Sequence, residues 1–152
     1  MKKVLIAICA VLALFMTGCG TKEKNIEGTL EDIMTKVYEG IPEEELPMML
    51  SNVEVTKENE ENFLGTTDLD FKEALASESM VGSIAHSVVL VRMNEDADIE
   101  KAKETIKEKA NPRKWICVEA SNVYVESKGD LIILIMSDEK ADTLKTNFEN
   151  LK

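Results

Sequence analysis

The sequence predicts an α+β fold: a small, mostly antiparallel sheet of four to five strands packed with three helices, preceded by a cleaved signal helix. Three observations carry this reading. Residues 28–41 hold apolar side chains at helical spacing, and residues 83–93 form a strand that is apolar on both faces. Two further strand-like runs flank Ser127, Lys128, Gly129 and Asp130, a hairpin signal. Strand, helix and hairpin in succession, with helices before and after, build a sheet with helices packed on it.

Taken in order, the first helix is the clearest element. Leu30, Ile33, Met34, Val37, Tyr38 and Ile41 fall on one helical face. Thr29 is placed to cap its start, Glu31 and Asp32 suit its positive end, and Gly40 with Pro42 ends it. An acidic stretch bearing Met48 and Met49 follows, broken by Pro42 and Pro47. Residues 52–56 alternate and read as an edge strand, residues 63–66 as another short strand, and residues 70–76 as helical. The strand at 83–93 reads as central. Residues 98–110 then form a helix with Ile99, Ala102 and Ile106 inward, stopped by Asn111 and Pro112. Strands are expected at 116–126 and 131–136. Ser137 is expected to cap a final helix whose inner face is Ala141, Leu144, Phe148 and Leu151.

The first 18 residues have the layout of a secretory signal: Lys2 and Lys3, an apolar run over residues 4–16, then small residues. That run covers about 20 Å as a helix, short of the roughly 30 Å of a bilayer core. Cys19 follows Gly18 directly, and this ending resembles the lipobox of bacterial lipoproteins. There the thiol receives a diacylglyceryl group, and cleavage leaves the Cys as first residue, acylated further by chains such as palmitate. Two or more acyl chains hold a protein stably at a membrane. The expected organisation is therefore a signal peptide (1–18), a lipidated Cys19 with a polar tether (19–27), and one domain (28–152). Removing the signal takes away two of the 18 bases and none of the 29 acids, moving the net charge from −11 to −13. That charge excludes nucleic acid as a partner and repels anionic headgroups.

Composition restricts the chemistry further. Cys9 leaves with the signal and Cys19 takes the lipid, so Cys117 stands alone and no intrachain disulfide is expected. His86 is the sole histidine. A nucleophilic pair of Cys117 and His86 is the enzyme reading, set against a Cys117 buried as a small hydrophobe and a His86 satisfied in the core. Ser83 and Ser87 make no dyad with His86, because side chains alternate along a strand. Asn94, Asp96 and Asp98 imitate a calcium loop, but Ile99 and Thr105 stand where Gly and Glu are required. One His and one thiol are too few for zinc, and no phosphate-binding glycine motif occurs, so neither metal nor cofactor is expected. The most unusual string is Asn111-Pro112-Arg113-Lys114-Trp115-Ile116-Cys117. Trp115 and Arg113 are interface anchors by type, as Met48 and Met49 are adaptable contact residues; the competing reading makes Trp115 and the methionines core filler.

Cys19, the strand at 83–93 with its following helix, and the hairpin of Tyr124, Val125, Gly129, Asp130, Leu131 and Ile132 together are similar to small lipoproteins of Gram-positive bacteria that carry a domain of unknown function. The resemblance implies an exported, membrane-tethered domain and brings no catalytic residues. The expectation is a non-enzymatic binding or interaction module on the extracytoplasmic face, with a protein partner in the cell envelope. A small thiol enzyme using Cys117 and His86, or an accessory subunit of an envelope or transport complex, is the alternative.

Overall fold

Five antiparallel strands in the order β1-β2-β3-β5-β4 carry helices on both faces in a computed structural model that describes residues 24–152. The signal peptide, Cys19 and the start of the tether lie outside the described residues. The strands are β1 (Leu50–Glu54), β2 (Phe71–Ser79), β3 (His86–Met93), β4 (Asn122–Lys128) and β5 (Leu131–Ser137). The helices are α1 (Leu30–Val37), α2 (Glu60–Leu64), α3 (Ile99–Lys109) and α4 (Ala141–Glu149), with a 3-10 turn at Glu43–Glu45. The architecture is thus the predicted α+β sandwich, with two helices on each face of the sheet.

Every residue of β3 and β5 is buried. Val88, Leu90, Ile133 and Ile135 pack under α1 and α4, while Val89, Val91, Ile132 and Leu134 pack under α2, α3 and Trp115. Helix α1 begins where the sequence says it should: Thr29 Oγ1 accepts from the Asp32 amide at 3.2 Å. Asp98 caps α3 likewise, accepting from the Lys101 amide at 3.1 Å, which accounts for one acid of the calcium-like run.

Four local expectations are corrected. Residues 63–66 are not a strand: Phe63 and Leu64 end the single turn of α2, and Gly65 closes it at φ 75°. A Cβ on Gly65 would sit 1.9 Å from the Lys109 carbonyl oxygen, so α2 abuts the end of α3 only with glycine there. Residues 70–76 are not helical: Phe71 onward lies in β2, where Ala74, Leu75 and Ala76 are buried on both faces; a doubly covered strand lacks the alternation that would identify it. Residues 116–121 are loop, closed by the Ala120 amide donating to the Pro112 carbonyl at 2.9 Å, and β4 starts only at Asn122. Ser137 caps nothing: α4 begins after Lys140, at φ 59°, and the Ser137 hydroxyl is used elsewhere.

One end of the sheet fastens the start of the domain. Arg92 donates through Nη1 to the Ile26 carbonyl at 2.8 Å and Asp130 Oδ2 at 3.0 Å. Its Nη2 reaches the Gly28 carbonyl at 2.8 Å, and its Nε reaches Glu73 at 2.8 Å. The planar fork of one guanidinium therefore holds residues 26–28 against the β4–β5 turn. The antiparallel register puts His86, Ser79, Leu50 and Ser137 at the opposite end. Six residue steps along β3 separate His86 at that end from Arg92, about 20 Å.

Candidate functional site

The end of the sheet remote from Arg92 collects the unusual chemistry of the molecule. At its centre His86 is 2% exposed and has both ring nitrogens engaged. Tyr38 Oη, at the end of α1, lies 2.7 Å from Nε2, and Ser137 Oγ, at the end of β5, lies 2.8 Å from Nδ1. Proton bookkeeping assigns the tautomer. Ser137 spends its hydroxyl proton on the Glu139 carbonyl at 2.7 Å, so Nδ1–H donates to Ser137 and Nε2 accepts from the Tyr38 hydroxyl. Ser77 hydrogen-bonds to the phenol from β2.

Burial tunes these groups to stay neutral. It pushes His86 down from 6.5 to about 4, because a cation there has no water around it. Desolvation also raises the Tyr38 phenol well above its usual value, against a smaller opposing effect of the Ser77 hydrogen bond. The network thus joins α1, β2, β3 and β5 through satisfied neutral partners. His86 is the satisfied core histidine of the two readings. Ser87 faces the other side of the sheet, where Lys114 donates to it at 3.1 Å.

Over this network runs the acidic strap of residues 42–50. Pro42 and Pro47 keep it out of regular structure beyond the Glu43–Glu45 turn. It is stitched down at its far end: Ser79 Oγ donates to the Met48 carbonyl at 2.8 Å and the Met80 amide to the Met49 carbonyl at 3.1 Å. Glu45 pairs with Lys140. Met49 sits in the left-handed region at φ 54°, a strain of about 1 kcal/mol held by those stitches.

Concave surfaces flank the strap. A groove of about 910 Å³ lies on the β1 side, lined by Met34, Tyr38, Leu46, Leu50, Asn52 and Ser77. A pocket of about 340 Å³ opens beside Met48, with Pro47, Ile84 and His86 in its wall and Glu44, Asp138 and Glu139 at its polar side. The methionines themselves face solvent, Met48 70% and Met49 67% exposed, with Met80 beside them at 61%. Sequence reasoning found the first two and missed Met80, which sits in an unpatterned turn after β2.

The string at 111–117 divides its roles differently from expectation. Trp115 is buried in the core between the sheet, α2 and α3, so the core-filling reading holds for it. Its Nε1 is buried without a hydrogen-bond partner among the described residues. Arg113 is exposed and pairs with Glu119 at 3.5 Å. Lys114, not singled out from sequence as a buried group, is the inward cation: its ammonium meets Glu78 at 2.8 Å and lies 4.6 Å from the Phe63 ring centre. Burial lowers the pKa of Lys114, with Glu78 opposing.

Cys117 is exposed, against the expectation of a buried hydrophobe, and Ile116 beside it is 94% exposed. The loop that carries them follows Trp115, on the sheet face away from the His86 ring, so His86 and Cys117 are not brought together. Among the described residues no cluster of three His, Cys, Asp or Glu side chains is placed to hold a metal ion, and no helix is long and apolar enough to cross a membrane. Compared with protein-family models, curated proteins and solved structures, the chain matches none, and its site is read from its own geometry.

Proposed function

We propose that the protein is a lipid-anchored extracytoplasmic interaction module, tethered through Cys19, whose binding end is held away from the membrane. The observation that carries the reading is the polarity of the domain. Arg92 fastens residues 26–28 at one end of the sheet, while Met48, Met49 and Met80 project at the other. A few adjacent exposed large apolar side chains mark a contact surface more than scattered ones do. The separation of His86 and Cys117, and the full engagement of both His86 nitrogens, favour this reading over a thiol enzyme. An accessory subunit of an envelope complex is the same module with a permanent partner.

Photo-cross-linking in membranes tests it. A photoreactive residue in place of Met48 or Met80 is expected to yield the same discrete adduct, and one in place of Glu104 on α3 none. The absence of adducts at both methionine positions, or equal adducts at all three, overturns the reading. The anchor is tested separately: Cys19→Ser is expected to release the chain from the membrane fraction, and unchanged retention overturns the anchor.

A further inference from the structure

The character of the remote end narrows what it takes. We infer that the Met48–Met49–Met80 surface, with the acidic pocket beside it, docks a basic amphipathic segment of a partner protein; this rests on the interaction-module reading above. The apolar half of the argument is the trio of methionines. They are joined through the Met80–Met49 and Ser79–Met48 hydrogen bonds into one patch, and each is more than half exposed. Unbranched, polarisable methionine side chains re-pack around a varied apolar helix face, the property that suits them to groove-bound helices.

The charged half is the rim. Glu43, Glu44 and Glu45 occupy consecutive exposed positions, and Asp138 and Glu139 approach from the β5–α4 connection. Glu45 is neutralised by Lys140, and Asp138 is occupied by Ser121 at 2.8 Å. Glu43, Glu44 and Glu139 have no cationic partner among the described residues. A Lys or Arg side chain has an apolar stem and a charged head, which matches a pocket walled by Pro47 and Ile84 and edged by Glu44 and Glu139.

The same rim argues against other occupants. A second copy would bring like charges together in a chain already at −11. An anionic lipid surface would meet them too, and the fastened N-terminal segment leaves from the opposite end.

The test uses the full chain in phosphatidylcholine nanodiscs, with a designed Leu/Lys amphipathic peptide of roughly 18 residues and a Leu/Glu peptide of the same pattern. Hydrogen exchange is expected to show protection of residues 43–50 and of the turn at Met80 with the Leu/Lys peptide alone. Pairing Met48→Ser with Met80→Ser, or Glu44→Lys with Glu139→Lys, is expected to weaken binding about tenfold at physiological salt. Glu104→Lys with Glu108→Lys makes the same change in net charge on α3 and is expected to leave affinity within about twofold. Equal sensitivity to both charge-reversal pairs, protection by the Leu/Glu peptide, or protection confined to other segments overturns the proposal. So does protection without peptide, whether it appears in phosphatidylglycerol nanodiscs or with rising chain concentration; these outcomes point to a lipid surface or a second copy. If cross-links at Met48 and Met80 persist while the Leu/Lys peptide fails, the module reading stands and only the basic partner is lost.

Discussion

The two ends of the sheet solve opposite problems with different chemistry. At the Arg92 end a buried cation meets two carboxylates and two carbonyls, fixing the chain where it enters the domain. At the His86 end, on the face that carries the ring, the buried polar groups are neutral, their partners are side chains and one carbonyl, and apolar side chains stand in solvent above them, while the Lys114–Glu78 pair lies on the other face. A charged clamp is directional and expensive to break. A neutral network fixes the shape beneath a surface without placing a charge under it, which leaves the outer carboxylates to set its potential.

The comparison is broken most severely at Arg92. Arg92→Leu leaves Asp130 and the carbonyls of Ile26 and Gly28 without their donor in a largely buried setting. The expected loss is about 3–5 kcal/mol in urea unfolding. Arg92→Lys is expected to recover only part of it, since one ammonium cannot span donors aimed in several directions. A loss below about 1 kcal/mol, within the ordinary range for surface changes, would mean that residues 26–28 are not fastened here.

The neutral end makes its prediction through pH. Because His86 is depressed from 6.5 to about 4, the unfolded chain binds a proton at higher pH than the folded one does. Its stabilising contribution is complete above pH 6.5, falls as pH drops, and is exhausted near pH 4. The amount is about 3 kcal/mol. Carboxylates add their own slope in acid, so the measured quantity is the difference between wild type and His86→Gln. That difference is expected to shrink steadily across this window; parallel profiles would mean that His86 is not held neutral by burial.

Elements governed by local chemistry were legible in the sequence. The stripe of α1, the cap at Thr29, and the turn at Gly129 and Asp130 each follow from residues within a few positions. What was not legible depends on remote cover. Phe71, Ala74 and Leu75 mimic helical spacing, and only β1 and β3 on either side make them a strand. Likewise Arg113 and Lys114 are alike as sequence. The loop at 111–121 follows no period, so which of the two turns inward is decided by Glu78 on β2. The candidate site shows the same division: Met48 and Met49 beside Pro47 are readable in one segment, whereas Met80 and Glu139 join them only through the register of the sheet and the turn into α4.

A finer contrast comes from two glycines, one at each end. Gly129 (φ 58°) turns the β4–β5 hairpin, and Gly40 (φ 78°) follows α1 near Tyr38. Alanine at either position meets the left-handed backbone, a cost of about 1 kcal/mol. Their surroundings differ. A Cβ on Gly129 would lie 2.6 Å from the Lys24 carbonyl oxygen and 2.9 Å from the Asn25 Cα, while one on Gly40 would meet nothing within 4 Å. Gly129→Ala is therefore expected to cost about 1 kcal/mol more than Gly40→Ala and to speed amide exchange across residues 24–28, which Gly40→Ala should leave alone. Equal costs with unchanged exchange would mean that the chain entering the domain is not pressed against the turn, and the two ends of the sheet would differ in chemistry but not in how tightly they hold.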